Sequence, residues 1–260
     1  GHRVAILTRG YRDELILHKR RRPAAAVWGH PDRTRIARRA AAEGATVALL
    51  DDGFQHRRLH RDLDIVALDR DALRRTNRRA LPAGPFRETW SSALERADAV
   101  VLTGREPWND DVRGFDDRLR EEIARAFPQL AVASLSLDAS GPRPANARAR
   151  ARRGPVAPSV ALTGIMKPNL FFDQARARCP TVTSRVALPD HGMPTRAERS
   201  AVIAAAGKGG VLITEKDLPR LAAVFDEVPL WVLSERLVWH RGERPLEERL
   251  FSTVPLRGDE

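Results

Sequence analysis

The chain has 260 residues, enough for one large domain or two modest ones with an ample core, and its 42% apolar content is ordinary for a globular protein. One cysteine, Cys179, excludes an internal disulfide and a cysteine-based zinc cluster and suits a reducing compartment, while no apolar stretch approaches the length of a bilayer span. A net charge of +11 and a pI near 11.1 invite a nucleic-acid reading, which the even spread of arginines and the presence of only four lysines argue against; codon bias explains such a pattern as well as a binding face does.

In chain order, Val4 to Thr8 reads as a short buried strand, followed by a turn at Arg9-Gly10-Tyr11. Ala25 to Trp28 is the next candidate strand. Arg33 to Gly44 has helical composition and ends on a glycine suited to a C-cap. The strand Thr46 to Leu50 leads into Asp51-Asp52-Gly53, and Asp64 to Leu68 and Ala97 to Leu102 are further strands. A helix is expected over Asp116 to Ala126, then a strand over Ala131 to Leu137. Strands separated by helices predict a mostly parallel sheet.

Residues 140–158 are rich in Pro, Arg, Ala and Gly with little apolar periodicity, and read as a linker. The expected division is therefore a first domain over 1–139 and a smaller one over 159–260. The second holds a strand Ser159 to Thr163, helices Asn169 to Arg178 and Thr195 to Ala206, and strands Gly210 to Thr214 and Pro229 to Leu233. Thr195 suits an N-cap.

Two carboxylates at the C-terminal end of an apolar strand sit where open α/β sheets bind ligands. Paired acids there commonly hold a metal that bridges nucleotide phosphates. Taken alone, Asp51-Asp52-Gly53 would equally suit a plain turn. No Gly-x-x-x-x-Gly-Lys-Ser/Thr loop occurs; Lys208, in Gly207-Lys208-Gly209-Gly210, lacks both the spacing and the hydroxyl.

The longer string Asp51-Asp52-Gly53-Phe54-Gln55-His56-Arg57-Arg58-Leu59-His60-Arg61-Asp62-Leu63-Asp64-Ile65-Val66 resembles the signature of the tetraacyldisaccharide 4'-kinases, which phosphorylate the lipid A precursor. Leu7-Thr8-Arg9-Gly10-Tyr11, Asp13-Glu14-Leu15-Ile16-Leu17, Leu81-Pro82-Ala83-Gly84-Pro85-Phe86-Arg87-Glu88, Pro189-Asp190-His191 and Thr214-Glu215-Lys216-Asp217 are similar to further family strings, in family order. The matches run from about Leu7 to Leu221.

The resemblance implies two α/β/α lobes, the first P-loop-NTPase-like with a mostly parallel sheet and the second smaller, with the active site in a cleft between them. It implies ATP and Mg2+ as cofactors, with Asp51 and Asp52 as metal acids. Asp13 matches the catalytic base toward the sugar 4'-hydroxyl, and His191 the histidine that pairs with it. Arg87 and Glu88 match a pair beside the nucleotide and substrate phosphates. Gln55 and His56 belong to the same motif, either as loop structure or as substrate contacts. Arg33 resembles another family arginine, against the alternative of a solvated helix start. Thr214-Glu215-Lys216-Asp217 is read as a strand end and helix cap, and His2, His18, His30, His60 and His240 as surface residues.

The implied partners are tetraacyldisaccharide 1-phosphate and the inner-membrane surface, at the cytoplasmic face of a Gram-negative inner membrane; no nucleic acid and no obligate protein partner are expected. The chain opens without methionine, so the family's phosphate loop and a membrane-touching helix are expected upstream of Gly1. The alternative reading is a catalytically inactive basic protein, derived from a P-loop NTPase, that binds anionic lipid or nucleic acid.

Overall fold

The computed structural model of the chain describes residues 1–254. Elements follow in the order β1 (Val4–Thr8), α1 (Arg12–Arg21), β2 (Ala26–Gly29), α2 (Arg33–Ala42), β3 (Val47–Leu50), β4 (Ile65–Asp69), α3 (Arg70–Arg75), α4 (Trp90–Glu95) and β5 (Ala99–Gly104). Then come α5 (Asp110–Ala126), β6 (Ala131–Pro144), α6 (Ala147–Ala151), β7 (Val160–Thr163), α7 (Pro168–Arg178), β8 (Ser184–Ala187) and α8 (Arg196–Ala206). The chain ends in β9 (Val211–Thr214), α9 (Leu218–Leu221), β10 (Leu230–Arg241) and α10 (Glu243–Thr253).

Two compact units result, and the chain passes between them four times rather than once. The first comprises Gly1–Arg9, Ala24–Asp138 and the chain from Arg236; the second comprises Gly10–Pro23 and Ala139–Glu235. The break at 138 falls where composition changes, but α1 belongs to the second unit. Its Arg21 pairs with Glu215, and its Asp13 with His191. The carboxyl end of the chain returns to the first unit, where Arg249 donates to Asp98 at 3.0 Å.

In the first unit, β1 is flanked by β2 and β3 in a three-stranded parallel sheet. β4, β5 and the first part of β6 form a second parallel ladder. Ala99, Val100 and Leu102 of β5 are fully buried, which explains their near-continuous apolar run. Asn109 starts α5 by accepting from the Val112 amide at 2.9 Å, with Asp110 and Asp111 in the first turn. The helix therefore begins six residues before the expected Asp116. Val112, Asp116, Leu119 and Ile123 recur at helical spacing on its buried face.

In the second unit the order is β6-β10-β9-β7-β8, with β10–β9, β9–β7 and β7–β8 parallel. The expected linker is here partly regular: β6 runs on to Pro144, and Asn146 caps α6 by accepting from Ala149 at 2.9 Å. This stretch is held by its backbone and small polar groups, as in Ser140 Oγ donating to Ser234 O at 2.8 Å, so it carries no apolar period. Thr195 and Glu198 close a reciprocal capping box on α8. Phe171, Phe172 and Trp231 fill one side of the sheet, and Leu218, Leu221 and Phe225 the other.

Candidate functional site

Chemistry-bearing residues gather in one cluster in each unit. In the first, the cluster grows from the C-terminal end of β3. The Asp51 amide donates to Leu7 O at 2.9 Å, which ties the acid pair to the central strand β1. Asp52 adopts a left-handed conformation with φ of 49°, tolerable for aspartate, and its side chain stays 61% exposed. Arg87 approaches it to 3.5 Å and donates to Gln55 Oε1 at 3.4 Å. Asp52, Gln55, Arg87 and Glu88 line a cavity of about 1100 Å³, whose other walls include Leu50, Phe86 and Trp90.

Arg33 is buried at the start of α2 rather than solvated, and donates to the Asp52 carbonyl at 3.3 Å. It therefore shapes the acid loop through the backbone. Glu88 is engaged by its own chain: Arg96 donates to both oxygens at 2.7 Å, and Gln55 donates to Oε1 at 3.3 Å. Burial opposes its charge, but these hydrogen bonds outweigh burial and hold the carboxyl below its ordinary range. Glu88 thus anchors Gln55, while Arg87 beside it has an open guanidinium. Gly84 makes the preceding Leu-Pro-Ala-Gly-Pro turn possible. A Cβ there would lie 2.2 Å from Arg79 O.

His56 belongs to the same loop, its Nε2 buried without a hydrogen-bond partner among the described residues. Burial, and then the Arg33 charge, push its imidazole below the ordinary 6.5. The folded state therefore favours the neutral ring, and the unfolded chain binds more protons below about pH 6.5. The stability from neutral His56 is complete above that value and is lost as pH falls toward the folded value. The urea midpoint should fall on acidification below about pH 6.5, and His56→Gln should flatten that slope. An identical slope in the variant would remove His56 as a source.

His240, expected at the surface, is instead stacked on Trp108 with ring centroids 3.9 Å apart, and shares a hydrogen bond with Ser136 Oγ at 2.8 Å.

The second cluster lies in the second unit. Asp13, in the first turn of α1, is 6% exposed, and His191 Nδ1 stands 2.6 Å from its Oδ2. An Nδ1–H imidazole donates to the carboxylate and leaves Nε2 3.9 Å from Asp190 Oδ2. His191 takes φ of 56° in the turn after Pro189-Asp190, and its amide donates to Gly164 O at 3.0 Å. Tyr11 stacks on its ring at 5.9 Å, a contact not anticipated for the Arg-Gly-Tyr string. Asp13 and His191, separated by 178 positions, thus form the predicted pair. A buried acid oriented by an imidazole can accept a proton from a hydroxyl.

Sequence reasoning missed Asp217 and Arg220. Asp217, read as a helix cap, does stand at the N-cap of α9, but its side chain makes no cap hydrogen bond. It accepts instead from Thr163 Oγ1 and Thr214 Oγ1, each at 2.6 Å, and from the Gly164 amide at 3.1 Å.

The profile of the family described as tetraacyldisaccharide-1-P 4'-kinase matches residues 12–254. The tetraacyldisaccharide 4'-kinase of Anaeromyxobacter dehalogenans (strain 2CP-C) is 36% identical over 255 residues, covering 85% of this chain and 65% of that protein. Its counterpart in Rhodospirillum centenum (strain ATCC 51521 / SW) is 37% identical over 206 residues, covering 77% and 54% respectively. The chain thus spans between about half and two thirds of the length of these curated relatives. The crystal structure of Aquifex aeolicus LpxK, described as an "apo" form in complex with ATP, aligns with a TM-score of 0.65 at 23% identity, over 97% of this chain and 79% of that one. That likeness shows the α/β fold.

Proposed function

We propose, since this chain belongs to the tetraacyldisaccharide-1-P 4'-kinase family, that it serves transfer of the ATP γ-phosphate to the 4'-hydroxyl of tetraacyldisaccharide 1-phosphate in lipid A biosynthesis. The observation that carries this reading is the Asp13–His191 pair at 2.6 Å, a built proton acceptor for a sugar hydroxyl. Asp13 takes the proton as the 4'-oxygen bonds to the γ-phosphorus. The bond from that phosphorus to the β,γ-bridging oxygen breaks, and its electron pair leaves with ADP. His191 holds the carboxylate in place through Nδ1–H.

Asp51 and Asp52 supply two hard oxygen donors, the number Mg2+ commonly takes from protein when phosphates and water complete its shell. The donor set therefore fits magnesium, which when bound neutralises phosphate charge. Arg87 adds a guanidinium whose fork suits phosphate oxygens, and Gln55 and Glu88 fix the loop beside it.

Among the described residues no helix is long and apolar enough to cross a membrane. A lipid substrate and the net charge of +11 support work at an anionic surface, which we assign to the cytoplasmic face of the inner membrane.

The test is transfer of label from γ-labelled ATP, with Mg2+, to tetraacyldisaccharide 1-phosphate by this chain, alone and with the coding sequence upstream of Gly1 included. Product carrying a 4'-phosphate from either form supports the reading. Folded protein that binds anionic vesicles but transfers nothing in either form overturns it in favour of a binding protein.

A further inference from the structure

We propose that Asp217 and Arg220 form a positioning pair that sets the Asp13–His191 geometry, an inference that rests on the kinase reading for its activity arm. Arg220 is mostly buried on α9, and its guanidinium spans two separate loops. Nη1 donates to Gly192 O at 2.8 Å, and Nη2 donates to Gly164 O at 3.2 Å. These carbonyls flank His191, because Gly192 follows it and Gly164 O also accepts the His191 amide at 3.0 Å. The same guanidinium brings Nε to 3.9 Å from Asp13 Oδ2. One planar group therefore touches the turn that carries the histidine, the loop that the turn leans on, and the acid itself.

Asp217 holds that group in place. Its side chain is fully buried and paired with Arg220, while its remaining acceptor sites take the two threonine hydroxyls and the Gly164 amide. Thr163 and Thr214 end the parallel strands β7 and β9, so the carboxylate is referenced to the sheet. The loop at Gly164 has no room to spare: a Cβ there would meet Pro189 O at 3.0 Å and Arg220 Nη1 at 3.3 Å. Rigid support of this kind is what a pair of reacting groups needs, since small displacements of a catalytic group are costly. A lysine keeps the charge but not the fork, and can reach only one carbonyl well.

The experiment compares R220A and R220K with the parent chain and with D13N. The His191 imidazole nitrogens are followed by NMR, kcat and KM are measured, and guanidinium is added to R220A. R220A should move the His191 nitrogen resonances in the direction D13N does and lower kcat by roughly 10- to 100-fold, with KM for ATP changing less. R220K should fall between, and guanidinium should restore part of the R220A loss.

If R220A does not fold, R220K carries the same comparison. Folded variants with unmoved His191 resonances and parental kcat overturn the proposal. If the parent transfers no phosphate while R220A still shifts His191 as D13N does, the kinase reading falls and the positioning role stands.

Discussion

Asp13→Asn is expected to lower kcat by about 10²- to 10⁴-fold, the usual contribution of a positioned general base. The amide is close in shape to the carboxylate and can still meet His191, so the loss should fall on chemistry rather than on folding. KM for ATP and for the lipid should therefore move little. His191→Ala should cost less, because the imidazole orients the acid and does not itself take the hydroxyl proton. The two changes should not add: with the base gone, removing its partner has little left to disturb. Initial rates of the three variants and the parent decide the matter. Near-normal turnover by D13N would remove Asp13 from the mechanism, and additive losses would make His191 an independent actor.

Much of each cluster was legible in the sequence because the parts are local strings. Asp51 and Asp52 follow an apolar strand, and a strand end is where an α/β sheet presents side chains to a ligand. Asp13 and His191 each stood within a family-like string, and the fold brings them to 2.6 Å. Arg220 was not legible. It lies three residues beyond a recognisable Thr-Glu-Lys-Asp run in a chain where Lys and Arg total 45. What marks it is a pair of carbonyls on two loops far away in sequence, and backbone acceptors leave no trace in residue identity. Glu88 shows the converse. Its string was recognisable, but only the fold reveals that Arg96 and Gln55 already occupy its oxygens.

The strands were legible wherever both faces are buried, as in β5, β7 and β9, whose side chains are almost all apolar. The path of the chain was not. The reading of one hand-over near residue 140 followed a real change in composition, but the early crossing at Gly10 and the return at Arg236 carry none. The early crossing delivers α1, and with it Asp13, to the unit that holds His191. Its cause is tertiary: α1 docks through Arg21 on Glu215, a pairing over 194 positions that no local pattern announces.

Asp116→Ala is expected to destabilise the first unit by about 3–5 kcal/mol, the cost of stranding a buried charge. Asp116 and Arg70 both have fully buried side chains, with Arg70 Nη1 donating at 3.2 Å. Asp116 also accepts from Ser134 Oγ at 2.7 Å. Asp116 occupies the apolar stripe of α5 between Val112 and Leu119, a position whose burial helical spacing dictates whatever residue stands there. Without it, among the described residues Arg70 would keep only Asp71 at 3.9 Å and the face of Trp108, 4.7 Å from its guanidinium carbon. Neither replaces a charged hydrogen bond.

Tryptophan fluorescence in urea is the measurement, since Trp28, Trp90, Trp108 and Trp239 all belong to the first unit. The midpoint should fall by about 1 M or more. The double variant Arg70→Met with Asp116→Leu should recover much of that loss, because an apolar pair of similar volume removes the stranded charge along with its partner. A D116A midpoint within experimental error of the parent would mean that water reaches Arg70 readily. A double variant as unstable as D116A would mean that packing around Trp108, rather than charge, sets the cost.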